Sequence, residues 1–267
     1  MTRMPGATKR IRVPELKEKK KRGEKIVMLT AYDATMAGLL DGAGIDVLLV
    51  GDSLGMVIMG CETTLPVTLE AMLHHTRAVS RGAARALVVA DMPFLTYQVS
   101  VPEAVRNAGR LIQEGGAAAV KIEGGRAVVE VASRLVEAGI PVMGHLGLIP
   151  QSVHQLGGFR PQARMEQEAE QLEEDARALE KAGAFAVVLE SIPEEVAKTV
   201  TGELSIPTIG IGAGRYCDGQ VLVSYDVFGL YQGPVPPFVK QYARLGQAMV
   251  RAAKSYAEEV RTGRFPA

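Results

Sequence analysis

From Gly115 to Gly125 the chain reads Gly-Gly-Ala-Ala-Ala-Val-Lys-Ile-Glu-Gly-Gly, and this stretch decides the fold. A helical pattern, Pro102–Glu114, leads into it. Gly115 ends that pattern with the residue type that tolerates the left-handed conformation of a helix C-terminus. A short apolar run, Ala118–Ile122, follows at once. It reads as a strand covered on both faces, as parallel strands are. Side chains alternate along a strand, so Lys121 and Glu123 share one face and Ile122 takes the other. An ammonium and a carboxylate on a buried face are costly unless they serve a site. One segment thus shows a helix, a glycine turn, a buried strand and charged groups at the strand's C-terminal end.

Working outward, the same unit recurs. Strand-like runs are Lys25–Thr30, Asp46–Val50, Ala86–Ala90, Ala118–Ile122, Pro141–Gly144, Phe185–Leu189, Thr208–Gly210 and Gln220–Val223. Between them lie helical patterns at Asp33–Asp41, Leu69–Arg81, Pro102–Glu114, Ala127–Glu137, Glu166–Lys181 and Glu194–Thr201, several followed by glycine (Gly82, Gly139, Gly183). Eight such repeats without a composition break predict an α/β fold, an eight-stranded parallel β/α (TIM) barrel forming a single domain over residues 1–267. The length suits a fold that typically takes ~250 residues. The rival is a doubly wound open sheet. Its dinucleotide fingerprint is missing, because the turn after the first run reads Thr30-Ala31-Tyr32-Asp33. Two additions are expected. A short N-terminal helix starts at Pro14, with Val13 and Leu16 inward and the Lys17–Lys21 charges on its solvated face. A long C-terminal helix spans Lys240–Arg261, more than a barrel needs and free to pack on a neighbouring subunit. Residues 1–12 are expected to be flexible.

Composition narrows the partners. Lys+Arg and Asp+Glu balance at 30 each, so no net field draws the chain to nucleic acid or an acidic membrane. No apolar run nears the ~18 residues that span a bilayer, and the polar, basic N-terminus lacks the apolar core of a secretory signal. Cys61 and Cys217 have no metal-ligand spacing and read as reduced thiols of a cytoplasmic protein. Asn107 is the only asparagine, a bias that fits a heat-adapted chain.

In a barrel, catalytic groups stand where strands end. Here those ends carry Asp52-Ser53, Asp91, Lys121 with Glu123, His145, and Glu190. Helix capping explains Asp52 or Asp91 singly. It does not explain Glu123 and Glu190, since Glu caps poorly. Carboxylates from three neighbouring strands make a hard-oxygen pocket suited to magnesium; zinc is disfavoured because no His/Cys cluster joins them. Lys121 then offers a cation to a substrate carboxylate, His145 a second donor, and Glu190, apart from the trio, a free base. His74 and His75, mid-helix, read as structural. The glycine-rich turn Ile209–Gly214 is open to two readings: a phosphate cradle, or close backbone packing.

At these residues the chain resembles the ketopantoate hydroxymethyltransferase family. The likeness is carried by Thr30–Asp33, Val50–Met56, Thr64–Thr68, Ala90–Phe94, Val120–Gly125, Gly144–Val153, Leu189–Ser191, Ile209–Gly214 and Asp218–Leu230. It implies Mg2+ held by Asp52, Asp91 and Glu123, directly or through water. It implies 2-oxo-acid contacts from Asp52, Ser53, Asp91 and Lys121, with His145 in the same pocket, and Glu190 as proton acceptor. The implied reaction joins the one-carbon unit of methylenetetrahydrofolate to 3-methyl-2-oxobutanoate through a metal-stabilised enolate, giving 2-dehydropantoate for pantothenate and coenzyme A synthesis. The implied assembly is a homo-oligomer, a decamer. The proline-rich stretch Gly233–Phe238 departs from the family pattern and leaves open where the last helix is placed. Three rivals are weighed against this reading. Lys121 as a Schiff-base nucleophile is countered by its carboxylate neighbours, which keep it protonated. A lyase of the phosphoenolpyruvate mutase type lacks its Lys-Cys-Gly-His loop here. A non-catalytic barrel that senses a small acid has no need of Glu190.

Overall fold

A computed structural model of the chain describes residues 9–266. Of the expected flexible N-terminus, residues 1–8 lie outside the described part, and the Ile11 N–H already donates to the Arg85 carbonyl at 2.7 Å. In chain order the elements are α1 (Val13–Lys21), β1 (Ile26–Thr30), α2 (Ala34–Gly42), β2 (Val47–Val50), α3 (Leu54–Val57), α4 (Leu69–Gly82), β3 (Leu87–Asp91), α5 (Val101–Gln113) and β4 (Ala119–Glu123). They continue with α6 (Val129–Glu137), β5 (Val142–Gly147), α7 (Val153–Leu156), α8 (Glu166–Lys181), β6 (Ala186–Glu190), α9 (Glu194–Glu203), β7 (Thr208–Ile211), β8 (Gly219–Leu222), α10 (Ser224–Val227) and α11 (Leu245–Arg261). Single 3-10 turns at Arg126–Val128 and Pro150–Ser152 precede α6 and α7. The chain divides into two compact units, one running to Val221 and one from Leu222 onward.

All eight strands are parallel to their neighbours and close in sequence order into the barrel that the repeats predict. The first and last strands are joined by a bond from the Ile26 N–H to the Asp218 carbonyl, 3.0 Å. Strand registers set Asp91 beside Lys121, Glu123 beside His145, and Gly147 beside Glu190. These charged residues are the last or nearly last of their strands, one step inside the ladder rather than in the loops beyond it. Alternation then sorts the interior into layers. Ile26, Met28, Val47, Leu49, Leu87, Val89, Ala119, Met143, Ala186, Val188, Ile209 and Val221 form one apolar cluster, and the polar groups lie above it at the C-terminal end.

Leu16 of α1 joins that same cluster and is wholly buried, so α1 stoppers the N-terminal end of the barrel. This corrects the expectation for the lysines that follow. Lys19 pairs with Asp46 at 3.2 Å, and Lys20 with Asp218 at 2.9 Å. The Lys20 ammonium also donates to the carbonyls of Thr201 and Ile206. Only part of the basic run is solvated, because α1 lies across the strand starts and two of its lysines meet the acids and carbonyls there.

In the second unit the last helix begins at Leu245 and not at Lys240. The N–H groups of Tyr242, Leu245 and Gly246 donate to the carbonyls of Val227, Phe228 and Gly229. Those bonds hold residues 240–244 as a bridging segment, so helical pairing starts only after it. No residue of α11 is buried, and Leu245, Met249, Tyr256 and Val260 leave an apolar stripe exposed at helical spacing. Asp226 in α10 is buried with Oδ1 unpartnered, and burial lifts its carboxyl to about 6. A raised folded-state pKa makes ionisation a cost that is absent below about pH 4, grows through pH 6 and stays level above it. Asp226→Asn should therefore stabilise the protein at pH 8 by up to about 3 kcal/mol and change nothing at pH 4. Urea midpoints at the two pH values test this; equal shifts at both would exclude titration as the cause.

Candidate active site

The C-terminal ends of β3 to β6 bring Asp91, Lys121, Glu123, His145 and Glu190 into one cluster, and the turn after β2 adds Asp52. The Lys121 ammonium lies 3.0 Å from Asp91 Oδ1 and 4.0 Å from Glu123 Oε1. His145 spans two carboxylates: Nδ1 is 3.4 Å from Glu123 Oε1, and Nε2 is 3.1 Å from Glu190 Oε2. The Asp52 N–H donates to Asp91 Oδ2 at 3.0 Å. Ser53 shares a 2.9 Å hydrogen bond with the Tyr32 hydroxyl. A Cβ on Gly51 would meet Ser53 Oγ at 2.7 Å and Asp91 Oδ2 at 3.6 Å, so the absence of a side chain there keeps space open between two of the expected substrate contacts. Every residue singled out at the strand ends belongs to this neighbourhood.

One expectation needs amending. Glu190 does stand outside the carboxylate trio, but it is not free, because His145 links it to Glu123. Its side chain keeps 16% of its surface accessible, against 3% for Asp91 and Glu123 and 4% for Lys121 and His145. Of these five groups it is the one turned most toward the barrel mouth.

Electrostatics follow from burial and crowding. Burial works against the Lys121 charge, but Asp91, Glu123 and Asp52 outweigh it and hold the ammonium above the ordinary lysine range. That disfavours the Schiff-base role, which needs a neutral amine. Burial and the Lys121 charge would discharge His145, yet its bonds to Glu123 and Glu190 push it up to about 9. Lys121 Nζ also lies 3.2 Å from His145 Nδ1, which links the two donors between their flanking carboxylates. Burial would raise Glu123, but His145, Lys121 and the Gln151 N–H bring it below the usual range. Burial, then Asp91 and Glu123, push Asp52 well above it. Burial raises Asp91 as well, against the pull of Lys121.

Two residues of the site escaped the reading of the sequence. Gln151, in the turn after β5, donates from Nε2 to Asp52 Oδ2 and to the Met92 carbonyl, both 2.9 Å, and from its backbone N–H to Glu123 Oε2, 2.9 Å. Tyr97, in the loop after β3, donates to Gln151 Oε1 at 2.8 Å and accepts from the Glu123 N–H at 3.0 Å. Gln151 sits inside the stretch Gly144–Val153 and Tyr97 just beyond Ala90–Phe94, yet Gln and Tyr on loops are usually surface residues. His75 has the structural role expected of it, with Nδ1 2.6 Å from the Tyr32 carbonyl. In the glycine-rich turn, a Cβ on Gly214 would strike Glu194 and one on Gly210 would crowd Cys217 and Gln220. Close packing accounts for those two glycines. Among the described residues no three His, Cys, Asp or Glu side chains form a ready-made metal cage, and no helix is long and apolar enough to cross a membrane.

Solved structures with this architecture include 2,3-dimethylmalate lyase, a member of the phosphoenolpyruvate mutase/isocitrate lyase superfamily, at TM-score 0.60 and 18% identity over 94% of this chain and 85% of that one. Phosphonopyruvate hydrolase matches at TM-score 0.63 and 12% identity over 95% and 88%. At such identities the likeness extends to the fold alone. Sequence relatives carry more. The 3-methyl-2-oxobutanoate hydroxymethyltransferase of Syntrophus aciditrophicus is 60% identical over 92% of this chain and 91% of its own length. That of Moorella thermoacetica is 59% identical over 96% of each. The family model for ketopantoate hydroxymethyltransferase matches residues 10–267, almost the whole chain. The chain therefore belongs to the ketopantoate hydroxymethyltransferase family, a family of hydroxymethyl-transferring enzymes.

Proposed function

We propose that this cluster joins a one-carbon unit from methylenetetrahydrofolate to C3 of 3-methyl-2-oxobutanoate, giving 2-dehydropantoate and tetrahydrofolate, in the cytoplasm and on the route to pantothenate. One water is consumed and supplies the product's hydroxyl. The observation that carries the reading is the charge of the site. Three buried carboxylates (Asp52, Asp91, Glu123) crowd around one ammonium, Lys121, which lies 3.0 Å from Asp91 Oδ1 and 4.0 Å from Glu123 Oε1, and the site is short of positive charge. A divalent cation fits that deficit. Magnesium commonly takes one or two protein carboxylates and keeps water and substrate in its other places, so the lack of a three-ligand cage does not count against it. Asp52, Asp91 and Glu123 would hold it, and when bound it would polarise the keto group and stabilise charge developing on that oxygen.

The chain's own groups do the rest. Lys121, kept protonated, is placed to pair with the carboxylate of the oxo acid, with Ser53 and His145 as further donors. Glu190 takes the proton from C3, whose C–H electron pair becomes the nucleophile for the one-carbon unit. His145 Nε2 lies 3.1 Å from Glu190 Oε2, close enough for its charge to hold that carboxylate beside the substrate. The exposed stripe of α11 supports self-association, and the decamer implied by family resemblance is the assembly we propose; sedimentation equilibrium tests it.

The direct test is folate-dependent formation of 2-dehydropantoate, lost on chelation and restored by magnesium. Asp91→Asn keeps the side chain's shape but removes a ligand charge, and should weaken magnesium binding by about 100-fold or more, beyond the usual cost of losing an outer-shell partner. Calorimetry measures it. Unchanged affinity would remove Asp91 from the metal site.

A further inference from the structure

We propose that Gln151 is a positioning residue that turns two of the three metal-site carboxylates, Asp52 and Glu123, so that each offers one defined oxygen to the ion. The inference rests on the magnesium reading above. In each carboxylate of the trio one oxygen is held by an amide N–H. Asp91 Oδ2 is held by the Asp52 backbone, Glu123 Oε2 by the Gln151 backbone, and Asp52 Oδ2 by the Gln151 side chain. The opposite oxygens, Asp91 Oδ1 and Glu123 Oε1, make only ion-pair contacts, with Lys121 at 3.0 and 4.0 Å and, for Glu123, with His145 Nδ1 at 3.4 Å. Two of the three tethers belong to one residue, on the Pro150–Ser152 turn that follows β5.

The side chain of Gln151 can adopt only one orientation. Its Nε2 faces the Met92 carbonyl, which can only accept, and so Nε2 must be the donor there. Oε1 consequently faces the Tyr97 hydroxyl, which accepts from the Glu123 N–H and lies nearer to Oε1, at 2.8 Å, than to its other acceptor, the Glu123 carbonyl, at 3.2 Å. Gln98 Nε2 donates to the same Oε1 at 3.2 Å. Gln151 is 5% exposed and Tyr97 1%, so water does not compete for these bonds. The amide is locked from behind by Tyr97 and presents both of its N–H groups forward, one of them to Asp52. Outer groups of this kind orient a metal's ligands and are worth about 10–100-fold in affinity.

The test titrates magnesium into chelator-treated protein by calorimetry, without substrate, for wild type, Gln151→Met, Tyr97→Phe and Asp91→Asn. Gln151→Met keeps the side chain's length and the backbone tether to Glu123 but loses both side-chain N–H donors, releasing Asp52, and should weaken magnesium binding about 10–100-fold. Tyr97→Phe removes the lock on Gln151 together with the acceptor of the Glu123 N–H, leaves the Gln151 side chain in place, and should weaken magnesium binding about 3–10-fold, in the same direction; it also serves if Gln151→Met folds poorly. In turnover, the KM for magnesium should rise for both while kcat at saturating magnesium stays within about threefold of wild type, a split that general loosening of the fold would not give. If Asp91→Asn loses magnesium but Gln151→Met and Tyr97→Phe bind it like wild type, the role of Gln151 is overturned and the site stands. If Asp91→Asn also binds normally, the magnesium reading itself has failed.

Discussion

Turnover is expected to fall by ~10²–10⁴-fold when Glu190 is replaced by Gln, the usual worth of a positioned general base, while magnesium and the oxo acid still bind. The separation follows from the geometry. Glu190 meets the rest of the cluster through the 3.1 Å approach of its Oε2 to His145 Nε2, a contact that a Gln carbonyl oxygen can keep. Lys121, Asp52, Asp91 and Glu123 keep their mutual contacts. Hydrogen–deuterium exchange at C3 of 3-methyl-2-oxobutanoate, with magnesium present and folate left out, isolates the proton step. Wild type should wash deuterium into C3, and Glu190→Gln should lose that exchange together with turnover. Exchange at the wild-type rate in the variant would falsify the assignment and make His145 the first suspect.

Lys121→Met should cost about 3–5 kcal/mol of folding stability in metal-free protein, the range for removing one partner from a buried ion pair. Lys121 is 4% exposed and stands between Asp91 and Glu123. Without it the cluster keeps four carboxylates and one cation, a worse imbalance in a place water hardly reaches. Magnesium should return part of the loss, so the gain in unfolding temperature on adding magnesium is expected to be larger for the variant than for wild type. Chemical denaturation with chelator and with excess magnesium measures both quantities. A loss below about 1 kcal/mol in chelator would mean that the carboxylates do not need this cation.

The barrel was legible because each unit of chain carries its own punctuation. Gly139 and Gly183 take the left-handed turn directly before buried apolar runs, and after α5 that turn falls to Gly116, one residue beyond the expected Gly115; those runs became β5, β6 and β4. The charged half of the site was legible for a related reason, since Lys121 and Glu123 are conspicuous inside an otherwise apolar strand. What stayed hidden depends on distant partners. Gln151 looks like any loop glutamine until the fold places it between Asp52 and Glu123, which are 99 and 28 residues away. Lys19 and Lys20 look solvated until Asp46 and Asp218 arrive beneath them. The start of α11 was missed because backbone donors at Tyr242 and Leu245 are spent on carbonyls of residues 227–228, and no local propensity encodes that.

The stopper formed by α1 also sets a timetable. Leu16 needs strands from the whole barrel, and the Lys20 ammonium bonds to the carbonyls of Thr201 and Ile206, separated from it by 181 and 186 residues. At ribosomal rates of about 5–20 residues per second, α1 waits on the order of ten to forty seconds for its seat to exist. Through that interval Leu16 and the barrel wall it packs against both lack their partner. Closure is therefore among the last events of assembly, and such late, sequence-distant contacts make barrels slow to fold and prone to aggregate while incomplete.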